Sequence, residues 1–282
     1  SMSGLSVTPA ADEQRFEFGA NWRSFLRVLD DERIAVAEQS LRDLLGGDSL
    51  AGKSFLDLGC GSGLFSLAAA RLGAARVLSV DYDPESVACA ATLRERYPPD
   101  GAQWTVERGD ALDNAYLASL GQWDVVYSWG VLHHTGDMWR ALGYAGDLTR
   151  RGGALAIAIY NDQGRLSRLW LGVKRLYNRG RLGRWVVLAV FVPLFAVLTA
   201  LADVLRGRNP LAQHRAYRSR RGMSRYHDWL DWLGGYPFEV AAPEAVFRFF
   251  RDRGFALRNL TTVGGRLGCN QFVFIRRETP AA

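Results

Sequence analysis

The sequence predicts an α/β fold: a mostly parallel sheet with an antiparallel last strand, an N-terminal helical lid and a helical insertion after strand five. Three observations carry this. Between Lys53 and Tyr160 short apolar runs alternate with segments of helical period, which implies crossover connections and a parallel sheet. A glycine-rich turn, Gly59-Cys60-Gly61-Ser62-Gly63, closes the first run. The alternation stops after Tyr160 and resumes at Pro243, ending in two runs joined by the turn Gly264–Gly268, the pattern of a hairpin. The 282 residues are 48% hydrophobic, which excludes a disordered or collagen-like chain and suits one large domain or one domain with an insertion.

Each element follows from its local pattern. Residues 12–48 read as helical, with apolar positions from Phe25 to Leu45 at helical spacing and Gly46-Gly47 as a stop. Ser54–Leu58 is the first strand, Leu64–Leu72 a helix closed by Gly73, and Arg76–Val80 the second strand. Glu85–Tyr97 is a helix stopped by Pro98-Pro99, followed by strands Trp104–Glu107 and Trp123–Ser128. Met138–Thr149 is a helix, Gly152-Gly153 a turn and Ala154–Tyr160 the fifth strand. Helix Pro243–Arg253 and strands Phe255–Thr262 and Gln271–Arg277 complete the chain. The organisation is thus a lid (1–52), a core (53–160), an insertion expected to cap the acceptor (161–242) and a returning helix and hairpin (243–282).

Charge is unevenly placed. From Arg165 to Arg225 fourteen Lys or Arg face the single acid Asp203, so the rest of a chain of net charge +6 is acidic, at −7. Three scattered cysteines, Cys60, Cys89 and Cys269, make neither a disulfide framework nor a zinc site and point to a reducing, cytoplasmic compartment. The N-terminus shows no charged stretch followed by an apolar run, so no signal peptide is expected.

The glycine turn sits where a strand becomes a helix. Glycines there let backbone approach a ligand, and the helix offers N–H groups and a positive dipole end. Several nucleotide-binding folds share such a turn, so further features decide the class. Asp57 precedes the glycines, their spacing is Gly-x-Gly-x-Gly, and Asp81 ends the second strand where a carboxylate can accept both ribose hydroxyls. Asp110 follows the third strand, in reach of an adenine amino group.

On Leu56–Gly63, Val80-Asp81, Gly109-Asp110-Ala111 and Trp123–Ser128 followed by Val131-Leu132-His133-His134, the chain resembles the class I S-adenosylmethionine (SAM)-dependent methyltransferases. The resemblance covers about residues 53–160 and 243–277 and implies a Rossmann-like sheet with SAM as cofactor. It implies that Gly59, Gly61 and Gly63 surround the methionine part of SAM, that Asp81 holds the ribose and that Asp110 meets the adenine. Ser128 or Trp129 would line the methyl-donor site, with Asp57, Tyr82 and Ala111 completing the cofactor set. The flanking segments Phe16–Trp22, Ala158–Gly164 and His227–Glu239 are similar to those of ubiquinone-type small-molecule O-methylases.

Methyl transfer from a sulfonium needs alignment of the acceptor and, for a hydroxyl or amine, a base to take its proton. His133 and His134 are expected to begin the helix after strand four; adjacent helical residues diverge by about 100°, so one of them would face substrate. The alternative is that both pack or cap that loop. His227 and Asp231 lie four residues apart, one helical turn, as an oriented base would. Trp229, Trp232 and Tyr236 could wall a pocket, or simply pack on the sheet. Tyr160 and Asn161 leave strand five at the ligand-binding edge, and Trp22 belongs to the lid. No metal is expected, because no third ligand stands near His134 and Asp137.

Trp185–Ala202 is an uncharged, apolar run of 18 residues, interrupted only by Pro193 and flanked by arginines. As a helix it is about 27 Å long, short of a bilayer core. It could dip into a membrane surface, cover the acceptor site or form a homodimer interface. The expected function is methylation of an oxygen, or a nitrogen, of a small amphiphilic or lipid-linked metabolite. A glycan or glycolipid precursor or tRNA is the alternative acceptor, and a non-catalytic SAM-binding protein anchored by the apolar run is the other class. Nucleic acid is disfavoured, because aromatic and basic residues are not interleaved. Peripheral contact with the inner membrane face is expected.

Overall fold

In a computed structural model of the chain the described residues are 26, 29–47, 49–207, 209 and 225–278, with the side chains of 225–228 and 231 also left outside the description. Helix α1 (Asp31–Leu44) starts at Asp30, whose carboxylate accepts from the Arg33 N–H at 2.9 Å. Then come β1 (Ser54–Leu58), α2 (Leu64–Arg71), β2 (Arg76–Asp81), α3 (Pro84–Arg96) and β3 (Gln103–Arg108). Next are α4 (Asn114–Ser119), β4 (Trp123–Trp129), α5 (Met138–Leu148) and β5 (Thr149–Tyr160). The insertion contributes α6 (Arg165–Asn178), α7 (Arg181–Leu205) and α8 (Arg225–Gly234) before α9 (Pro243–Arg251), β6 (Phe255–Thr261) and β7 (Cys269–Arg276).

The seven strands form one sheet in the order β3-β2-β1-β4-β5-β7-β6. The first five are parallel, as the alternation implied, and β7 runs antiparallel to both β5 and β6, which makes the Rossmann-like arrangement the resemblance implied. The order reverses between β1 and β4, and the crevice outside the carboxyl ends of strands at such a point is where open α/β sheets hold ligands.

Two expectations need correcting. The pair Gly152-Gly153 lies inside β5, which begins at Thr149; the register shift against β4 between Trp123 and Val125 absorbs the extra residues as an irregularity, with Gly152 at φ +73°. The six-residue α4 has no counterpart in the apolar periodicity. Asp113 capping the Tyr116 N–H at 3.0 Å supplies its start, and so short a helix gives almost no period to read.

Strand alternation builds a core on each face of the sheet. Leu56, Leu78, Val126, Leu155 and Ile157 point to one side, where α5 and α9 cover them with Leu142 and Phe250. Phe55, Val77, Val125, Tyr127 and Ala156 point to the other, under Ile34 and Leu41 of α1 and Leu67 of α2. The insertion builds a third cluster of its own from Trp170, Tyr177, Val187, Leu233, Phe238 and Val240, with Tyr160 packed on it.

The insertion leaves and rejoins the sheet at one point. Asn161 bridges to Ala241, and the Ala241 N–H donates to the Tyr160 carbonyl at 3.0 Å. The Asn161 amide donates to the Gly264 carbonyl at 2.7 Å and accepts from the Asn270 amide at 3.0 Å, so the same residue pins the hairpin turn.

Candidate cofactor and acceptor site

A cavity of about 380 Å³ opens at the carboxyl ends of β1, β2 and β4. Its floor is the glycine turn. Gly59 and Cys60 donate their N–H groups to the Val80 carbonyl at 2.7 and 3.0 Å, which ties the turn to β2. Gly59 stands at φ +85°, and a Cβ built on it would lie 2.4 Å from the Val131 side chain, so only glycine fits. The Gly61 N–H donates to Asp81 Oδ2 at 2.9 Å and the Asp83 N–H to Asp81 Oδ1 at 2.9 Å. Burial, partly offset by these bonds, pushes the Asp81 carboxyl up to about 6.

Asp57 lies deeper. Its Oδ2 accepts from the Ser66 hydroxyl at 2.7 Å, Ser66 accepts from Ser79 at 2.6 Å, and Ser79 accepts from the Trp104 indole N–H at 2.8 Å. Burial raises Asp57 to about 7, and the nearby Asp81 adds to the rise. Tyr127 closes the wall, stacked between Phe65 at 5.1 Å and Trp129 at 5.4 Å. Tyr127 lines the cavity, and its buried hydroxyl has no hydrogen-bond partner among the described residues. These three rings also wall a second cavity of about 640 Å³ bounded by α1, β6 and β7, with Gln39, Asp43, Asn259 and Thr261 on its rim.

His134 reaches the first cavity. Its Nδ1 lies 2.6 Å from the Pro237 carbonyl, which can only accept, so Nδ1 carries the proton and Nε2 is the acceptor nitrogen. Burial lowers its pKa to about 4, with the Lys174 ammonium contributing and the Pro237 bond opposing, and the ring is neutral near pH 7. His133 is fully buried behind it. The Tyr160 N–H donates to His133 Nδ1 at 3.3 Å, and the two rings lie 3.9 Å apart. The pair occupies a single 3₁₀ turn, Leu132–His134, and not the start of α5, because the segment to Asp137 is needed to cap that helix. Glu239 holds the turn in place: it accepts from the Gly136 N–H at 3.1 Å and the Met138 N–H at 3.0 Å, while its own N–H donates to the His133 carbonyl at 2.9 Å.

The cavity brings together Asp57, Gly59, Gly61, Asp81, Tyr82, Asp110, Ala111, Trp129, His134 and Tyr236. Other expected residues lie off its wall. Gly63 begins α2 at φ +79°, and a Cβ there would come within 2.9 Å of Ala90, so it serves helix packing. Ser128 is fully buried, donating to the Leu58 carbonyl at 2.6 Å and tying β4 to β1. Asn161 spends its amide on the hairpin turn as described, and Tyr160 packs between His133 and Phe238. Trp229 packs on Phe195, and Trp232 on Tyr160 and Trp170, with the buried Lys174 ammonium 4.2 Å over its ring. Of the described residues in 161–242, Tyr236 alone lines the cavity, so little of the expected acceptor cap reaches it. Trp22 and the side chains of His227 and Asp231 lie outside the described residues; α8 keeps the last two four positions apart.

Residues 56–155 match the family described as "Methyltransferase domain". Residues 56–155 of the chain therefore carry a methyltransferase domain. This methyltransferase domain is 48% identical over 52 residues to a ribosomal protein L11 methyltransferase of Aeromonas hydrophila, a match that spans 18% of each chain. The chain therefore covers under a fifth of that relative's length. Its fold is similar to that of magnesium protoporphyrin IX methyltransferase from Synechocystis, solved with bound SAH (TM-score 0.52, 16% identity, 91% of this chain and 94% of that one). It is similar also to an O-methyltransferase family protein from Burkholderia thailandensis (TM-score 0.51, 15% identity, 92% and 68% coverage). The lining of this cavity fits a SAM-type cofactor: a glycine cradle that a Cβ would fill, the carboxylates Asp81 and Asp110, and the buried Tyr127 with its unpartnered hydroxyl.

Sequence reasoning missed Phe65, Tyr127, Val131 and Ser86 among the lining residues. Tyr127 carried a usable signal. It precedes Trp129 by two in a strand, so period-two alternation puts both on one face.

Proposed function

We propose that the protein transfers the methyl group of SAM to an oxygen, or a nitrogen, of a small amphiphilic or lipid-linked metabolite, in the cytoplasm at the inner membrane face. SAM, when bound, supplies a methyl on a sulfonium. Gly59 and Gly61 bring backbone to its amino-acid end, Asp81 accepts from the ribose hydroxyls, and Asp110 meets the adenine. Trp129, Phe65 and Tyr127 exclude water and give the acceptor a flat apolar wall.

The observation that carries the reading is His134: a neutral imidazole of set tautomer in the wall of the cofactor cavity. With its pKa lowered to about 4 by burial it is a weak base, so it does not strip an acceptor hydroxyl in advance. It accepts the hydroxyl's hydrogen bond and takes the proton as methyl transfer proceeds, because an oxygen becomes strongly acidic as it gains the methyl. The second cavity behind the aromatic wall offers space of the right size for an acceptor of mixed polarity.

The test uses labelled SAM and a bacterial lipid extract, with S-adenosylhomocysteine release as readout. Wild-type turnover and at least about a hundredfold loss in His134→Ala, with SAM affinity kept, are expected. SAM binding with no turnover on any extract would make the chain a silent SAM-binding protein. Turnover unaffected by His134→Ala would assign the base to the His227–Asp231 pair.

A further inference from the structure

Helix α7 is 25 residues long, with a mean hydropathy of 2.5 over its most apolar window, yet only 6% of that window is buried. One stripe packs inward. Val187 and Asp203 are buried, and Phe191 and Phe195, between them at four-residue steps, pack on Trp170 of α6 at 5.6 and 6.3 Å. The other side stands open, with Leu182 80%, Trp185 72% and Leu205 86% exposed. Val190, Leu194, Leu198 and Leu201 are exposed along the same helix, and Leu169 of α6 is exposed as well. Among the described residues nothing covers this open side.

Charge identifies the occupant. Arg165, Arg168, Arg179, Arg181, Arg184 and Arg206, on these two helices and at their ends, are exposed. The one acid of the segment, Asp203, faces inward. An apolar stripe bordered by cations complements an anionic lipid surface, where acyl chains take the apolar residues and headgroup phosphates the guanidinium groups. A second copy of the chain is a poor match, since it would bring two arginine sets together with no acids between them. A spanning helix is a poor match too: α6, packed along α7, would carry its arginines into hydrocarbon, and the chain must return through α8 to the same sheet.

We propose that α6 and α7 dock side by side in the plane of an anionic phospholipid surface, with Leu182, Trp185, Leu198 and Leu201 in the acyl boundary. This gives the proposed membrane contact a named surface and a lipid class, and it rests on that reading; SAM affinity keeps the two separable.

The experiment is flotation of the full chain with vesicles of phosphatidylcholine alone or of equimolar phosphatidylcholine and phosphatidylglycerol, with SAM affinity measured on the same samples. Flotation is expected with the anionic vesicles, about tenfold weaker with the neutral ones and reduced by high salt. Trp185→Glu with Leu198→Glu and Leu201→Glu should lower it about tenfold or more, leaving SAM affinity within about twofold. Arg181→Glu with Arg184→Glu and Arg206→Glu keeps the apolar stripe and should abolish the preference for phosphatidylglycerol. No flotation of a wild-type chain that binds SAM overturns the proposal. So does a triple-Glu variant that floats like wild type, resistance of the native protein to alkaline carbonate extraction, or a dimer lost in that variant with no lipid binding. Failure to bind SAM would instead strike at the proposed function.

Discussion

Strands β4 and β5 and helix α7 are runs of similarly apolar residues with opposite fates. Val125, Val126, Ala156 and Ile157 are almost wholly inaccessible, because both faces of the sheet centre are covered by helices. In α7 only a narrow stripe finds partners, and Leu182, Trp185 and Leu205 stand in the open. Apolar composition therefore measures a need for cover, and only the neighbours decide whether the chain itself provides it.

That contrast can be broken most directly at the core. Phe250 is fully buried against Phe274 at 4.7 Å and Phe255 at 5.4 Å. Phe250→Ala should cost about 3–5 kcal/mol in chemical denaturation. A loss below about 1 kcal/mol would show that this side of the sheet is not the packed face described here. Second in size, Gly59→Val places a branched side chain against Val131 at a left-handed backbone position, and SAM affinity by calorimetry should drop at least about a hundredfold, with the fold retained.

The third prediction concerns pH. Ionised Asp81 is the better acceptor for ribose hydroxyls, and its carboxyl sits at about 6. At pH 5 about a tenth is ionised, so SAM should bind about tenfold more weakly there than near pH 7.5, and Asp81→Asn should flatten the profile at low affinity. A flat wild-type profile would move ribose recognition elsewhere. The unliganded fold should show the opposite slope. Asp57 and Asp81, raised to about 7 and about 6 from 3.8, hold protons more tightly folded than unfolded. Their stabilising contribution is full below pH 3.8 and is lost as pH rises through those values, so Tm should fall between pH 5 and pH 8 and fall less in Asp57→Asn. The smallest effect belongs to α7: Leu201→Ser, 54% exposed, should change stability by no more than about 0.5 kcal/mol, and a larger loss would mean that residues of this chain cover it after all.

Much of the site was legible locally. Gly59, Gly61, Asp81, Asp110 and His134 sit at ends of periodic segments, where turn chemistry and strand order fix which edge they occupy, and the cavity holds all of them. Gly63 and Ser128 share those motifs yet serve packing, because their surroundings come from α3 and β1 and not from the residues beside them. His133 and His134 look equivalent in sequence. The Pro237 carbonyl and Glu239 carboxylate, more than a hundred positions away, set the turn that sends one ring to the cavity and the other onto Tyr160.

By itself the sequence determined the parallel core, the order of its strands and longer helices, the hairpin end and the glycine turn, since each depends on period, caps and backbone freedom within a few residues. Tertiary structure alone decided which histidine meets the cavity, that Tyr127 and Phe65 extend Trp129 into an aromatic wall, and that α7 is uncovered. Those facts are sums over distant neighbours, and burial is a property of a residue's surroundings, which no local pattern contains.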